Sequence, residues 1–385
     1  MIKNAFASEI IYSKYKDLKT CDVIERDEQA GIEKVAESVG IICGVVPTTN
    51  PTSTAIFKAL IALKTRNAIV FSPHPRAAKS TIEAARIVHD AAVAAGAPPG
   101  IIAWLPAPTL ALSQALMQHK QVKLILATGG PAMVHAAYSS GHPAVGVGSG
   151  NTPAIIDASA DVEMAVSSIL MSKSFDNGMI CASEQSVVVV ESVYQAVVAE
   201  FEKRGAYILT PAEALKAGAI MILPGGKLNV DIVGQSVDKL SKLFGLTAVP
   251  RGTRVLIGEA SVVGPGEPWA YEKLSPLLGM YRAPTFEAAV DLAAALVDFA
   301  GAGHTSVLYT DTQNKAAIKL FESRINTCRM LINTPAAQGA IGACVTQSEC
   351  ERARLCLTRT LRAHSRGRFQ LPPGPEPDAG LWLLG

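Results

Sequence analysis

The 385-residue chain has few cysteines, few aromatic residues and almost no net charge. Its seven cysteines are scattered and form no C-x-x-C pair, which argues against a disulfide framework or a metal site and favours a reducing, cytoplasmic setting. With 35 basic and 33 acidic residues the net charge is +2, so overall charge does not favour a nucleic-acid partner. No apolar run reaches the ~18 residues that cross a bilayer, and we expect no membrane partner.

Short apolar runs alternate with amphipathic segments along most of the chain. Runs such as GIICGVV, NAIVFS and VKLILATGG are typical of buried strands, and TSTAIFKALIALKT of a helix capped by Thr52 or Ser53. Apolar strands separated by helices predict a parallel sheet covered on both faces. The sequence therefore predicts an α/β fold, with a doubly wound domain over residues 1–155 and a catalytic α/β domain over 156–342.

The composition changes after Gly342. Residues 343–385 hold three of the seven cysteines, six arginines, no lysine and a Pro/Gly-rich run. We predict a poorly ordered or non-native extension there.

One cysteine lies at a polar bend. Cys181 follows Asp-Asn-Gly, a strong turn signal, and precedes the apolar run SVVVV. A cysteine kept for packing usually lies inside an apolar run. The pattern favours a thiol at a junction of elements, although inert burial stays open.

Two predicted strands end in short polar or glycine-rich segments. Thr48, Thr49 and Asn50 follow the first strand, and Thr128-Gly129-Gly130 follows a later one. In doubly wound sheets ligands bind at these carboxyl ends. The Asn50 amide is suited to donating to an oxyanion, and glycines let a ligand approach the backbone. Helix capping and a tight turn remain open alternatives.

Three further features concern the chemistry. Glu272 follows a loop that holds two further acids, Glu259 and Glu267, and a solvated side chain stays open for it. His304 lies at the start of a predicted strand, and a structural role stays open for it. No carboxylate occurs between Ala132 and Asp157, a stretch rich in glycine.

With these segments in order, the chain resembles the aldehyde dehydrogenase superfamily, and more closely its CoA-acylating branch. The resemblance covers residues 1–342 and is carried by VVPTTNPTSTAIFKALIALKTRNAIVFSPHPRA, LATGGPAMVHAAYSSG, GVGSGNTPAIID, SFDNGMICASEQS, EKLSP, GHTSVLYT and INTPAAQGAIG. It implies the aldehyde dehydrogenase-like fold, with a Rossmann-like NAD-binding domain and a catalytic cysteine domain.

The resemblance also implies roles for individual residues. Cys181 matches the nucleophile, Asn50 the oxyanion donor, and His304 a histidine implicated in the acylating reaction. Glu272 matches the acid that holds the nicotinamide ribose. Asn50 also matches an NAD contact. The remaining positions that match NAD contacts are Val45, Val46, Pro47, Thr48, Thr49, Gly130 and Gly148.

The implied reaction interconverts acetaldehyde, NAD and coenzyme A with acetyl-CoA and NADH through a cysteine thioester. Hydrolytic relatives carry a glutamate that activates water, where this chain has Val147-Gly148-Ser149-Gly150-Asn151. The sequence thus favours acyl transfer to CoA over hydrolysis. We also expect a homo-oligomer when the protein is complete.

Two alternatives stay open. The family has several tens of residues before the position of Met1 and a different segment after Gly342, so an incomplete, inactive chain that acts only in assembly is one alternative. A semialdehyde dehydrogenase that works without CoA is the other.

Overall fold

A computed structural model describes residues 2–340. The predicted extension at 343–385 lies outside the described residues. Those described form two compact units, residues 2–148 and 149–340. The domain boundary predicted after residue 155 falls inside the strand Thr152–Ile156 of the second unit, and the domain limits stay a prediction.

A five-stranded parallel sheet organises the first unit. The strands of this unit are β1 (Asp22–Asp27), β2 (Ile32–Ala36), β3 (Ile41–Val46), β4 (Ala68–Pro73), β5 (Ile102–Trp104), β6 (Val122–Thr128) and β7 (Ala144–Val147). β1 and β2 form a separate antiparallel hairpin. The others pair in parallel in the order β5-β4-β3-β6-β7. The direction of winding reverses between β3 and β6, which makes that position a topological switch point.

Helices connect these strands. They are α1 (Ile2–Ala5), α2 (Ile11–Tyr15), α3 (Pro51–Lys64), α4 (Ala78–Ala94), α5 (Leu110–Met117) and α6 (Pro131–Tyr138), with a π-helical turn at Phe6–Ile10 and a 3₁₀ turn at Pro75–Ala77. The predicted cap of α3 at Thr52 or Ser53 is wrong, because α3 begins at Pro51 with Asn50 at its N-cap. Proline is favoured at the first helical position because its fixed φ suits the helix. The N–H that it lacks would have no partner within the helix at this position.

A seven-stranded sheet organises the second unit. Its strands, together with a small hairpin of β11 and β12, are β8 (Thr152–Ile156), β9 (Glu184–Val190), β10 (Ala206–Ile208), β11 (Ile222–Leu223), β12 (Lys227–Leu228), β13 (Val255–Glu259), β14 (Leu277–Ala283), β15 (Thr305–Tyr309) and β16 (Arg329–Ile332). The large sheet is parallel throughout, in the order β10-β13-β14-β9-β8-β15-β16.

Helices cover both faces of this sheet. They are α7 (Val162–Ser174), α8 (Tyr194–Lys203), α9 (Pro211–Met221), α10 (Val237–Phe244), α11 (Phe286–Ala300), α12 (Lys315–Arg324) and α13 (Ala336–Ala340), with 3₁₀ turns at Phe175–Gly178, Glu191–Val193, Val230–Ile232 and Pro268–Ala270. Alternate residues of β9 pack on opposite sides: Val187 lies in one core with α7 and α8, and Val188 in another with α11. The predicted α/β class is confirmed, since strands buried on both faces produce the continuous apolar runs in the sequence.

Within residues 2–340, every helix is too short or too polar to traverse a bilayer. The same residues contain no group of three or more His, Cys, Asp or Glu side chains placed to hold a metal ion.

Candidate active site

Four loops that enter neighbouring strands of the second sheet carry the candidate site. Glu272 precedes β14, Cys181 precedes β9, Gly150 precedes β8 and His304 precedes β15. These strands are consecutive in the order β14-β9-β8-β15 and run parallel. Because parallel strands have their amino ends at one edge, the four loops meet at that edge.

The turn that holds Cys181 has an unusual backbone. Between α7 and β9, the residues Asp176, Asn177 and Gly178 have φ values of 51°, 50° and 71°, which lie in the left-handed region. A Cβ on Gly178 would lie 2.4 Å from the Ser275 carbonyl oxygen, so only glycine fits there. Cys181 follows this bend and is partly exposed, which places its thiol at a junction and outside the apolar core.

His304 contacts the Cys181 thiol. Its Nε2 lies 3.2 Å from Cys181 Sγ, and its Nδ1 lies 3.0 Å from Thr305 Oγ1. The imidazole is buried. Burial, aided by the positive charge of Arg329, lowers the pKa of His304 to about 4. The ring is therefore neutral at physiological pH.

Gly150 allows the loops to approach each other. A Cβ at this position would lie 2.0 Å from the Cys181 carbonyl oxygen and 3.1 Å from His304 Cδ2. The Gly150 N–H donates to Glu272 Oε1 at 2.9 Å. Burial raises the pKa of Glu272 to about 7, although the Gly150 hydrogen bond opposes this shift. No role for Gly150 itself was predicted from the sequence. Its place in a run of glycines was the available signal.

Buried polar side chains anchor the chain just after Cys181. Glu184 Oε1 accepts from the Ala336 N–H at 2.9 Å. Gln185 Oε1 accepts from Lys173 Nζ at 3.1 Å and from the Lys273 N–H at 3.0 Å. Burial lowers the pKa of Lys173 to about 7 and raises that of Glu184 to about 7, and each group favours the charged form of the other. These contacts fix the start of β9 and so the position of the thiol.

The remaining predicted site residues lie in the first unit, at the carboxyl ends of β3, β6 and β7. Val45 and Val46 are buried within β3, so their side chains are not available to a ligand, whereas Thr48 is exposed. Gly130 is the N-cap of α6, and Gly148 directly follows β7, with open space around the position of a Cβ. Pro47 and Thr49 are partly exposed.

Asn50 does not cap α3 with its side chain. Its Oδ1 accepts from Thr49 Oγ1 at 2.7 Å, which leaves the Nδ2 hydrogens as its donors. The capping alternative is therefore not what the structure adopts, and the oxyanion role stays a prediction.

Lys58 is a buried lysine of α3 whose role was not predicted from the sequence. Its Nζ donates to the carbonyl oxygens of Val45 and Leu126, each at 2.8 Å. Burial lowers the pKa of Lys58 to about 7. A neutral amine has two hydrogens, which match the two carbonyls. Lys58 thus ties β3 to β6 beside the switch point, and an ordinary helical pattern with one lysine gave no signal of this.

A groove of about 310 Å³ lies between α5 and α6 in the first unit. Gln114, Gln118 and His135 supply polar groups to it, and Met117 supplies an apolar surface. Since α6 begins directly after Gly130, the groove lies along the helix that follows the glycine turn of β6.

Comparisons with known proteins identify relatives of this chain. The chain is 60% identical over 343 residues to the bifunctional aldehyde-alcohol dehydrogenase AdhE of Escherichia coli K12, covering 89% of this chain and 38% of that protein. It therefore spans about two fifths of the length of such curated relatives.

Two solved structures match as well. An acetylating aldehyde dehydrogenase from Geobacillus thermoglucosidasius is 46% identical, with a TM-score of 0.86 over 90% of this chain and 75% of that one. A Rhodopseudomonas palustris propionaldehyde dehydrogenase with bound CoA and an acylated cysteine is 29% identical, with a TM-score of 0.74 over 80% and 68%. The profile of the aldehyde dehydrogenase family matches residues 6–220, which is more than half of the sequence, and the chain belongs to that family.

Proposed function

We propose that this chain is a CoA-acylating acetaldehyde dehydrogenase, an NAD-dependent oxidoreductase. It would convert acetaldehyde, NAD and CoA to acetyl-CoA and NADH, and run in reverse, through a thioester on Cys181. The observation that carries the proposal is the 3.2 Å contact between Cys181 Sγ and the neutral ring of His304 at a partly exposed turn.

Cys181 is proposed as the nucleophile. Its thiolate attacks the aldehyde carbon, the C–S bond forms, and the carbonyl electron pair moves to the oxygen. The Nδ2 hydrogens of Asn50 are proposed to donate to this oxyanion. His304, in contact with the sulfur, supports the thiolate in this step. When the CoA thiol takes the acyl group, the bond between the acyl carbon and Cys181 Sγ breaks, and Cys181 is released again as a thiolate.

Features of the first unit support the proposal that it binds the dinucleotide. The segment Val45–Asn50, Gly130 and Gly148 follow three neighbouring parallel strands around the switch point, where such sheets bind ligands. The groove between α5 and α6 lies along the helix that begins after Gly130. We propose that these residues hold NAD, with Val45 and Val46 contributing backbone atoms because their side chains are buried, and that Glu272 binds its nicotinamide ribose. The chemistry that NAD supplies when bound is acceptance of the hydride that turns the adduct into a thioester.

CoA is proposed as the acyl acceptor. Hydrolytic relatives carry a glutamate that activates water, and the matching stretch of this chain has no such carboxylate. Between Ala132 and Asp157 the chain has no carboxylate. Glu272 lies near this stretch but accepts the Gly150 N–H. The bound CoA and acylated cysteine of the R. palustris enzyme support CoA as the acceptor and a cysteine thioester as the intermediate in this proposal.

A homo-oligomer in the cytoplasm is part of the proposal. The β1-β2 hairpin stands apart from the main sheet of its unit and exposes Ile24, Ile32 and Val35. Strand edges with apolar side chains favour pairing with another chain. A second copy of this chain is the proposed partner.

The test is a reaction of purified chain with acetaldehyde and NAD, with and without CoA, followed by the absorbance of NADH. We expect NADH to form only with CoA, and Cys181→Ser to abolish it. Cys328→Ser is the matched control, since Cys328 is a partly exposed cysteine of the same unit. It should retain the rate.

Each other outcome contradicts the proposal. NADH formed without CoA, or with phosphate in its place, favours the semialdehyde dehydrogenase alternative. Normal turnover by the Cys181→Ser variant excludes the thioester. A folded chain that forms no NADH under any of these conditions favours a role in assembly.

A further inference from the structure

Three side chains extend from the Cys181 sulfur into the sheet as a continuous line of hydrogen bonds. After the 3.2 Å contact of Sγ with His304 Nε2, His304 Nδ1 lies 3.0 Å from Thr305 Oγ1. Arg329 Nη1 donates to the same Thr305 Oγ1 at 3.0 Å. Thr305 and Arg329 are paired residues of the neighbouring strands β15 and β16, so the sheet itself sets this spacing.

The direction of these hydrogen bonds follows from what each group can donate. A guanidinium has only donors, so Arg329 takes a lone pair of the Thr305 oxygen. The Thr305 hydroxyl is buried and must place its single hydrogen on an acceptor, because buried donors in folded proteins are almost always paired. Within residues 2–340, His304 Nδ1 is the acceptor in reach of it.

We infer that Thr305 and Arg329 are positioning residues that hold neutral His304 with its hydrogen on Nε2, so that the ring donates a hydrogen bond to the Cys181 sulfur. In the opposite tautomer Nδ1 would donate to Thr305, and the buried hydroxyl hydrogen would have no acceptor. The positive charge of Arg329 also opposes protonation of the ring, which agrees with the lowered pKa of His304.

The inference deepens the proposed function, on which its catalytic meaning rests. A ring that presents N–H to the sulfur does not take the thiol proton, which leaves to solvent. It stabilises the thiolate by a charge-assisted hydrogen bond, both before attack on the aldehyde and when the thioester is cleaved. His304 then acts as a fixed donor at the sulfur.

The direct test is nitrogen NMR of the full chain with ¹⁵N-labelled histidine. The seven histidines give a limited set of ring signals, and the set that disappears in His304→Gln belongs to His304. We expect an unprotonated Nδ1 and a protonated Nε2 in the wild type. A proton on Nδ1 would overturn the inference, and this measurement needs no variant at Thr305.

The second test follows the rate of iodoacetamide labelling of Cys181 against pH, read by mass spectrometry. Thr305→Val keeps the shape of the side chain but removes the hydroxyl. We expect the midpoint of its profile to rise by about one pH unit, which corresponds to a tenfold loss of thiolate stabilisation. Thr305→Ser restores the hydroxyl and should restore the midpoint.

The matched control is Ser306→Ala. Ser306 is the next residue of β15, and its buried Oγ has no hydrogen-bond partner within the described residues. Its removal should leave the midpoint unchanged. If Thr305→Val also leaves it unchanged, or Ser306→Ala moves it as far, the positioning role is refuted. Neither test uses NAD or CoA, so failure here is distinct from failure of the proposed function.

Discussion

Replacement of Gly150 by alanine tests the reasoning about the site most directly. The added Cβ would lie 2.0 Å from the Cys181 carbonyl oxygen and 3.0 Å from its carbonyl carbon. Both neighbours are backbone atoms, which cannot rotate away as a flexible side chain does. The change therefore has to displace either the turn that holds Cys181 or the loop that enters β8.

The size of the displacement follows from contact distances. Carbon and oxygen atoms that touch without bonding lie about 3.3 Å apart, so the turn has to move by about 1.3 Å. A misplacement of about 1 Å in a reacting group costs roughly 10²-fold in rate. Forcing extra atoms into a packed site costs about 1–3 kcal/mol in the free energy of unfolding.

The assay is labelling of Cys181 by iodoacetamide at neutral pH, together with a thermal melt. We expect labelling of Gly150→Ala to change strongly, turnover in the CoA-dependent assay to fall about 10²-fold, and the melting temperature to drop by roughly 4–8 °C. The Cys328 peptide of the same sample reports whether general reactivity has changed.

Gly266→Ala is the control for the loss of a glycine. A Cβ at Gly266, in the same unit, meets nothing within 4 Å, so this variant should melt as the wild type does. If Gly150→Ala melts at the wild-type temperature and keeps both the wild-type labelling and turnover, the close approach of the two loops is not required and the account of the site is refuted.

Two further predictions concern buried bases whose folded-state pKa is lowered, so that the unfolded chain binds more protons and stability rises with pH. His304 has a pKa of about 4 in the folded protein against 6.5 when unfolded. Lowering the pH from 7 to 5 should therefore reduce the free energy of unfolding by about 2 kcal/mol more in the wild type than in His304→Gln. Lys58 has a pKa of about 7 in the folded protein against 10.5 when unfolded. Raising the pH from 7 to 9 should therefore increase the free energy of unfolding by about 2 kcal/mol more in the wild type than in Lys58→Met.

Both are measured by urea unfolding at the paired pH values. Each comparison uses the change between two pH values in one protein, so an overall loss of stability in a variant cancels. Parallel pH dependence of the wild type and His304→Gln would mean that the imidazole is not held neutral. The same result for Lys58→Met would mean that the amine keeps its charge inside the first unit.

Local patterns in the sequence were enough to predict the main strands and the covered parallel sheets. Apolar runs such as those of β3 and β9 reflect burial on both faces, which is a property of each strand. The polar bend before Cys181 likewise predicted a thiol at a junction. Resemblance then singled out Cys181, His304 and Glu272, which the structure brings to one edge of a sheet.

Hydrogen-bond partners far apart in the chain were not predictable in this way. Gly150 and Lys58 carry no distinctive local pattern, and their importance comes from the atoms that surround them. The start of α3 was misplaced for a related reason, because Ser/Thr capping signals overlapped with the preference of proline for the first helical position.

The sequence by itself determined which segments become buried strands and which become helices, because hydrophobic periodicity is a local property. Only the tertiary structure decided that β14, β9, β8 and β15 are neighbours. That order brings Gly150 to Glu272, 122 positions away, and Cys181 to His304, 123 positions away. Strand order depends on how all the connections pack at once, and the line from Cys181 through His304 and Thr305 to Arg329 exists only after that packing is complete.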